Sequence, residues 1–148
     1  MCYMTVLSTT SDEDLALANG SGVNFSRELP GVPEERYLRF RNRWYLGSES
    51  GCSCEFRHLG VGSTELGFGL PEAWYPEDVS SVRATSAVMA IVRRLVEGGH
   101  SVDCVDSWSH GQSEPDALAG DLPVNLADVS DEAFRFFERH RFTFARGD

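Results

Sequence analysis

The sequence predicts an α+β domain in which helices cover one face of a single-layer mixed β-sheet. Three observations carry this. Short runs rich in β-branched and apolar residues recur at 3–9, 43–47 and 101–108. One long stretch, from Pro76 to Glu97, repeats Val79, Val82, Met89, Val92 and Val96 at helical spacing. Glycine, proline and serine clusters punctuate the chain between them. The 148 residues fit one domain, 1–148, long enough to bury a core without disulfide or metal staples.

Residues 3–9 read as the first strand, and Thr10 with Glu13 forms a capping box that opens a short helix ending at Asn19-Gly20. Gly20 to Pro33 reads as loop, with one helical turn at Pro33-Glu34-Glu35-Arg36 because proline suits the first helical position. Residues 43–47 and 52–59 read as two strands joined by Ser48-Glu49-Ser50-Gly51. Period-two alternation in the second places Cys52, Cys54, Phe56 and His58 on one face, with Ser53, Glu55 and Arg57 on the other.

Gly60 to Gly69 has no Gly-x-Gly-x-x-Gly or Gly-Lys-Ser/Thr string, so it reads as a turn rather than a phosphate loop. The long helix follows, with Glu77 and Asp78 in its first turn and Arg93 and Arg94 complementing its last carbonyls before Gly98-Gly99. Residues 101–108 form the next strand, and 111–121 a polar loop. Ser130 caps a last helix through about His140, and Phe142-Thr143-Phe144 closes the sheet. The order is ferredoxin-like, βαββαβ, with a C-terminal helix and strand added; that layout hosts many activities and implies none.

Charge narrows the function classes. Thirteen basic against 23 acidic residues give a formal net charge of -10, which repels phosphate backbones and anionic lipid. Arg36, Arg39, Arg41 and Arg43, interleaved with Tyr37, Phe40, Trp44 and Tyr45, are the one basic-aromatic string, and they read as a solvated strand face. No window approaches the roughly 20 apolar residues of a spanning helix. Residues 1–7 lack the charged start of a secretory leader, so a cytoplasmic location is expected, with Cys2, Cys52, Cys54 and Cys104 reduced.

Two clusters bear on chemistry. Cys52, Cys54 and His58 combine soft ligands with an imidazole, and Cys104, Cys2 or His110 can supply a fourth ligand for zinc. Successive side chains on one strand face lie about 7 Å apart, which is long for a shared metal unless the strand bends. The same two thiols can act as a strained redox pair, or simply line the core, which the alternation favours. Asp103, Asp106, His110 and Glu114 gather at the end of the 101–108 strand beside Trp108. There a carboxylate orienting an imidazole gives a general base or a divalent-metal pair, and Asp106 and His110 are the catalytic candidates.

There is no Gly-x-Ser-x-Gly elbow, Cys104 with His110 or His58 is the one thiol-imidazole option, and His100 and His140 read as helix-end residues. Trp44, Trp74 and Trp108 with Tyr45 and Tyr75 exceed what a core of this size needs and suit an interface where exposed, while Trp74-Tyr75-Pro76 before the long helix reads first as a staple packing the loop onto the sheet. The reading is therefore an acidic binding module for a protein or small ligand, a basic one fitting the net charge best, with no nucleic acid, membrane or cofactor. The alternative is a metal- or thiol-dependent enzyme at Cys52, Cys54 and His58.

Overall fold

The computed structural model describes residues 2–20, 22–108 and 113–147. A six-stranded mixed sheet is built from β1 (Tyr3–Thr9), β2 (Val23–Ser26), β3 (Asn42–Ser48), β5 (Val102–Trp108), β6 (Gly120–Asn125) and β8 (His140–Ala145). Their order is β2-β3-β1-β5-β8-β6, antiparallel throughout except for the parallel pair β6 and β8. Two short strands, β4 (His58–Leu59) and β7 (Phe136–Phe137), form a separate parallel pair.

One α-helix, α1 (Val79–Glu97), lies on one face of the sheet. Its buried stripe, Ala84, Val88, Met89, Val92, Leu95 and Val96, recurs at helical spacing and joins the core with Leu7, Trp44, Cys104, Phe134 and Phe142. Val79, expected on this stripe, is the first residue of the helix and is exposed; burial begins at Ala84. The helix stops where expected: Gly99 takes a φ of 91°, His100 N–H donates to the Leu95 carbonyl and Gly99 N–H to that of Val96. Only a residue without a Cβ enters this left-handed cap at little cost. On the opposite face Val6, Val105 and Leu38 pack beneath the turn Pro33–Tyr37.

Several expected elements give way to tertiary partners. The capping box does not form: Thr10 Oγ1 accepts from Ser101 N–H, Glu13 pairs with Arg94, and Asp14 caps a short 3-10 turn, Leu15–Ala18. The loop expected before Pro33 contains β2, and the one expected to end at 121 enters β6 at Gly120. Arg93 and Arg94 leave the helix end, Arg93 for the carbonyls of Leu126 and Val129 and for Asp131, Arg94 for Glu13. The helix expected from Ser130 to His140 is a single turn, Asp131–Ala133, followed by extended chain. Phe134, Arg135, Phe136 and Phe137 are all buried, and a one-sided helical stripe cannot bury four consecutive residues.

The βαββαβ order asks for two helices over its four strands, and α1 is the one α-helix among the described residues. None of the described helices is long and apolar enough to cross a membrane.

Candidate functional site

The segment 52–59 departs furthest from expectation. It is not a strand: Ser53–Glu55 is a 3-10 turn capped by the Cys52 sulfur, which accepts Cys54 N–H at 3.4 Å, and regular pairing begins only at His58. Ser53, assigned to the solvent face, is buried. Its hydroxyl donates to the Leu46 carbonyl and accepts Thr5 N–H at 3.1 Å, standing in for a ladder rung where β1 and β3 part. Cys54, assigned to the core, is exposed, and Cys52 is half-buried. The supposed shared face of Cys52, Cys54, Phe56 and His58 therefore does not exist.

His58 and Arg57 turn to opposite sides, each into an ionic cluster. The His58 side chain is 4% exposed and lies between two acceptors: Nδ1 is 2.6 Å from Asp106 Oδ2, and Nε2 is 2.6 Å from the Ser53 carbonyl. A carboxylate and a carbonyl can only accept, so both ring nitrogens must donate and the ring is an imidazolium. Burial opposes that charge, but the Asp106 carboxylate and the Ser53 carbonyl outweigh it and hold the His58 pKa above its ordinary value. Tyr3 stacks flat on the ring at 3.9 Å, with Trp108 edge-on to Tyr3 at 4.8 Å. Thr5 Oγ1 donates to the second Asp106 oxygen at 2.9 Å. Burial, with Glu138 and Asp106 nearby, pushes the Tyr3 hydroxyl up to about 12.

On the other side Arg57 and Arg135, both fully buried, share Glu77, with Arg57 Nη2 at 2.7 Å and Arg135 Nη2 at 2.9 Å from Oε1. The remaining guanidinium donors reach backbone carbonyls: Glu132, Phe134 and Gly69 for Arg57, Gly67 and Leu70 for Arg135. Burial alone would raise the Glu77 carboxyl, but the two guanidiniums outweigh it and hold it below the usual range. Three of the five carbonyls lie between Gly67 and Leu70, so this cluster clamps the glycine-rich loop from beneath.

The clamped loop leads to an open groove of about 410 Å³ lined by Gly62, Ser63, Glu65, Leu66, Trp74 and Tyr75. Glu72 and Tyr75 exchange backbone hydrogen bonds of 3.3 and 3.0 Å, which puts Trp74 on a tight two-residue tip, 71% exposed. Tyr75 is held by its partners, with the Arg135 guanidinium 6.0 Å over its ring. Leu70, also exposed, lies in the same clamped loop. Trp44, by contrast, is core, edge-on to Phe25.

The other sequence candidates are scattered. Asp103 and Asp106 fall on opposite faces of β5. Burial raises the Asp103 carboxyl against the lowering effect of Ser8 and Arg39. Glu114 pairs with Arg36 at the surface, and His110 lies outside the described residues. Cys104 is wholly buried, and burial holds its thiol well above the ordinary value. Among the described residues no three His, Cys, Asp or Glu side chains are placed to hold a metal ion. Arg39 and Arg41 of the basic-aromatic string pair with Asp103, Asp121 and Asp12.

Asp106 pairs with the imidazole of His58; the expected pairing with His110 lies outside the described residues. Arg57, Arg135 and Glu77 were not anticipated. The signal for them was Arg135 inside Phe134-Arg135-Phe136-Phe137, because a cation within an apolar run is tolerated when a buried partner meets it. Compared with known proteins, the chain matches no family, no curated protein and no solved structure.

Proposed function

We infer that this protein is a binding module and that the Trp74 groove takes a cationic side chain, arginine or lysine, from a basic protein partner. The observation that carries this reading is the exposed indole of Trp74, held on a hydrogen-bonded tip above a loop that two buried guanidiniums clamp. An exposed aromatic on a fixed backbone is how interfaces obtain contact area at small entropic cost. Among the described residues of the lining Glu65 is the one charged side chain, and the chain carries a net charge of -10, so charge complementarity selects a cation over an anion. Aromatic faces add cation-π attraction for the same class of ligand.

The four strands β2-β3-β1-β5 are read as a ferredoxin-like unit with the first helix reduced to the turn Leu15–Ala18, extended by β8 and β6. The cytoplasm is the compartment this reading assigns. The alternative, a metal- or thiol-dependent enzyme using Cys52, Cys54 and His58, draws less support because both His58 nitrogens are already donating and neither keeps a lone pair for a metal or a proton.

The test uses the Trp74 indole NMR signal, assigned by Trp74→Phe, titrated with acetyl-arginine methylamide and with its uncharged citrulline analogue. A saturable shift is expected with the arginine probe and none with citrulline, and Glu65→Gln should weaken binding by a few-fold. Equal response to the two probes, or none to either, would overturn the reading.

A further inference from the structure

Three of the four thiols meet at one place that the groove does not involve. Cys54 Sγ accepts the Tyr3 backbone N–H at 3.3 Å and lies 4.0 Å from the Tyr3 carbonyl. Its thiol is close enough to those of Cys52 and Cys2 to feel both. Because the Tyr3 nitrogen is bonded directly to Cys2, the Cys54 sulfur can be no more than about 6 Å from the Cys2 Cα. The two residues are therefore neighbours across the start of β1, and side-chain rotation that closes the sulfur-sulfur gap is what a bridge requires. Cys54 is exposed and Cys2 half-buried, so a small reagent has access.

We propose that Cys2 and Cys54 are a modification site at which the two thiols form a reversible disulfide by exchange with a small aliphatic disulfide. Cys54, the exposed thiol, gives up its proton and attacks one sulfur of the reagent, breaking the reagent's S–S bond and releasing the first thiol. The Cys2 thiolate then attacks the Cys54 sulfur of the mixed disulfide, forming the Cys2–Cys54 bond and expelling the second thiol. Two electrons pass from the protein to the reagent, and the two released thiols take up the two protons.

Cys52 is the less suitable partner. Its sulfur caps the Ser53–Glu55 turn through Cys54 N–H, and bridging cysteines one residue apart would strain the ring and open that turn. Cys2 precedes the paired part of β1 and carries no such duty. The resulting link ties the start of β1 to the chain beyond β3, closing a long loop in the unfolded state, so the oxidised protein should unfold at a higher temperature. Partial burial, against the lowering effect of the Tyr3 N–H, and the two neighbouring thiols push the Cys54 thiol up to about 12, so exchange is slow at neutral pH.

The experiment incubates the folded protein with oxidised glutathione in mildly alkaline buffer, then reads intact mass and the thiol map after digestion. Loss of two hydrogens, a bridged Cys2–Cys54 peptide and recovery with dithiothreitol are expected. Cys52→Ser should keep the bridge, and Cys2→Ser should stop at a glutathione adduct on Cys54. Circular dichroism checks that each variant is folded. A dominant Cys52–Cys54 bridge, a stable glutathione adduct on the unmodified sequence, or four unreacted thiols would overturn the proposal.

Discussion

Arg57 and His58 are neighbours in the chain and both are buried ions, yet the clusters they enter differ in kind. Arg57 joins a second guanidinium around one carboxylate and satisfies the surplus positive charge with backbone carbonyls. His58 is a one-to-one pair whose cation exists only while a proton is present. A guanidinium cannot lose its proton under ordinary conditions, so the first cluster keeps its cations and weakens only when acid protonates Glu77, whereas the second loses its cation when base takes the His58 proton. Two adjacent residues can thus bolt a segment to the fold on opposite sides with opposite sensitivities to pH.

The sharpest way to break this contrast is Glu77→Ala, which leaves two buried guanidiniums sharing only carbonyl partners. Urea unfolding should show a loss of about 3–5 kcal/mol, and a loss under 1 kcal/mol would show that the clamp is not as drawn. Asp106→Asn should cost less, about 1.5–3 kcal/mol below neutral pH, because histidine can escape by giving up its proton.

The pH profile separates the clusters. The folded state holds the His58 proton more tightly than the unfolded chain, so this contribution is fully present below the unfolded value of about 6.5 and is lost as pH rises through the raised folded value. Unfolding free energy should therefore fall on the alkaline side in the parent and lose that slope in Asp106→Asn. Glu77 runs the other way: its carboxyl is depressed on folding, so its contribution holds above the ordinary carboxylate range and fades only as pH drops through the lowered value.

Smaller effects refine the picture. Tyr3→Leu removes the ring stacked on the imidazolium and should cost about 0.5–1.5 kcal/mol, with a downward shift of the His58 titration read by NMR. Trp74→Ala should change stability by no more than about 0.5 kcal/mol while reducing arginine-probe affinity by about tenfold. A large stability loss there would make Trp74 a packing residue and remove the groove's claim to function.

Part of this architecture is legible in the sequence. The α1 stripe and its Gly98-Gly99 stop, and the runs that became β1, β3, β5 and β8, follow from local periodicity and turn chemistry. At 52–59 the same logic failed. Alternation in Cys52-Ser53-Cys54-Glu55-Phe56-Arg57-His58 imitates a half-buried strand, but Ser53, Arg57 and His58 have partners at Thr5, Glu77 and Asp106, each some twenty or more residues away. At 130–140 a helical reading of Phe134 and Phe137 overlooked that Arg135 also needed a buried carboxylate.

Local sequence by itself determined which apolar stripe forms the helix and where that helix stops, the strongly negative charge and the excess of aromatic residues. Tertiary structure alone decided which histidine meets Asp106, which arginines go inside, and which of three tryptophans stays in water. Backbone preference and side-chain periodicity act over a few residues, whereas a buried charge is tolerated only where its counterion arrives, and that meeting is arranged by the whole fold.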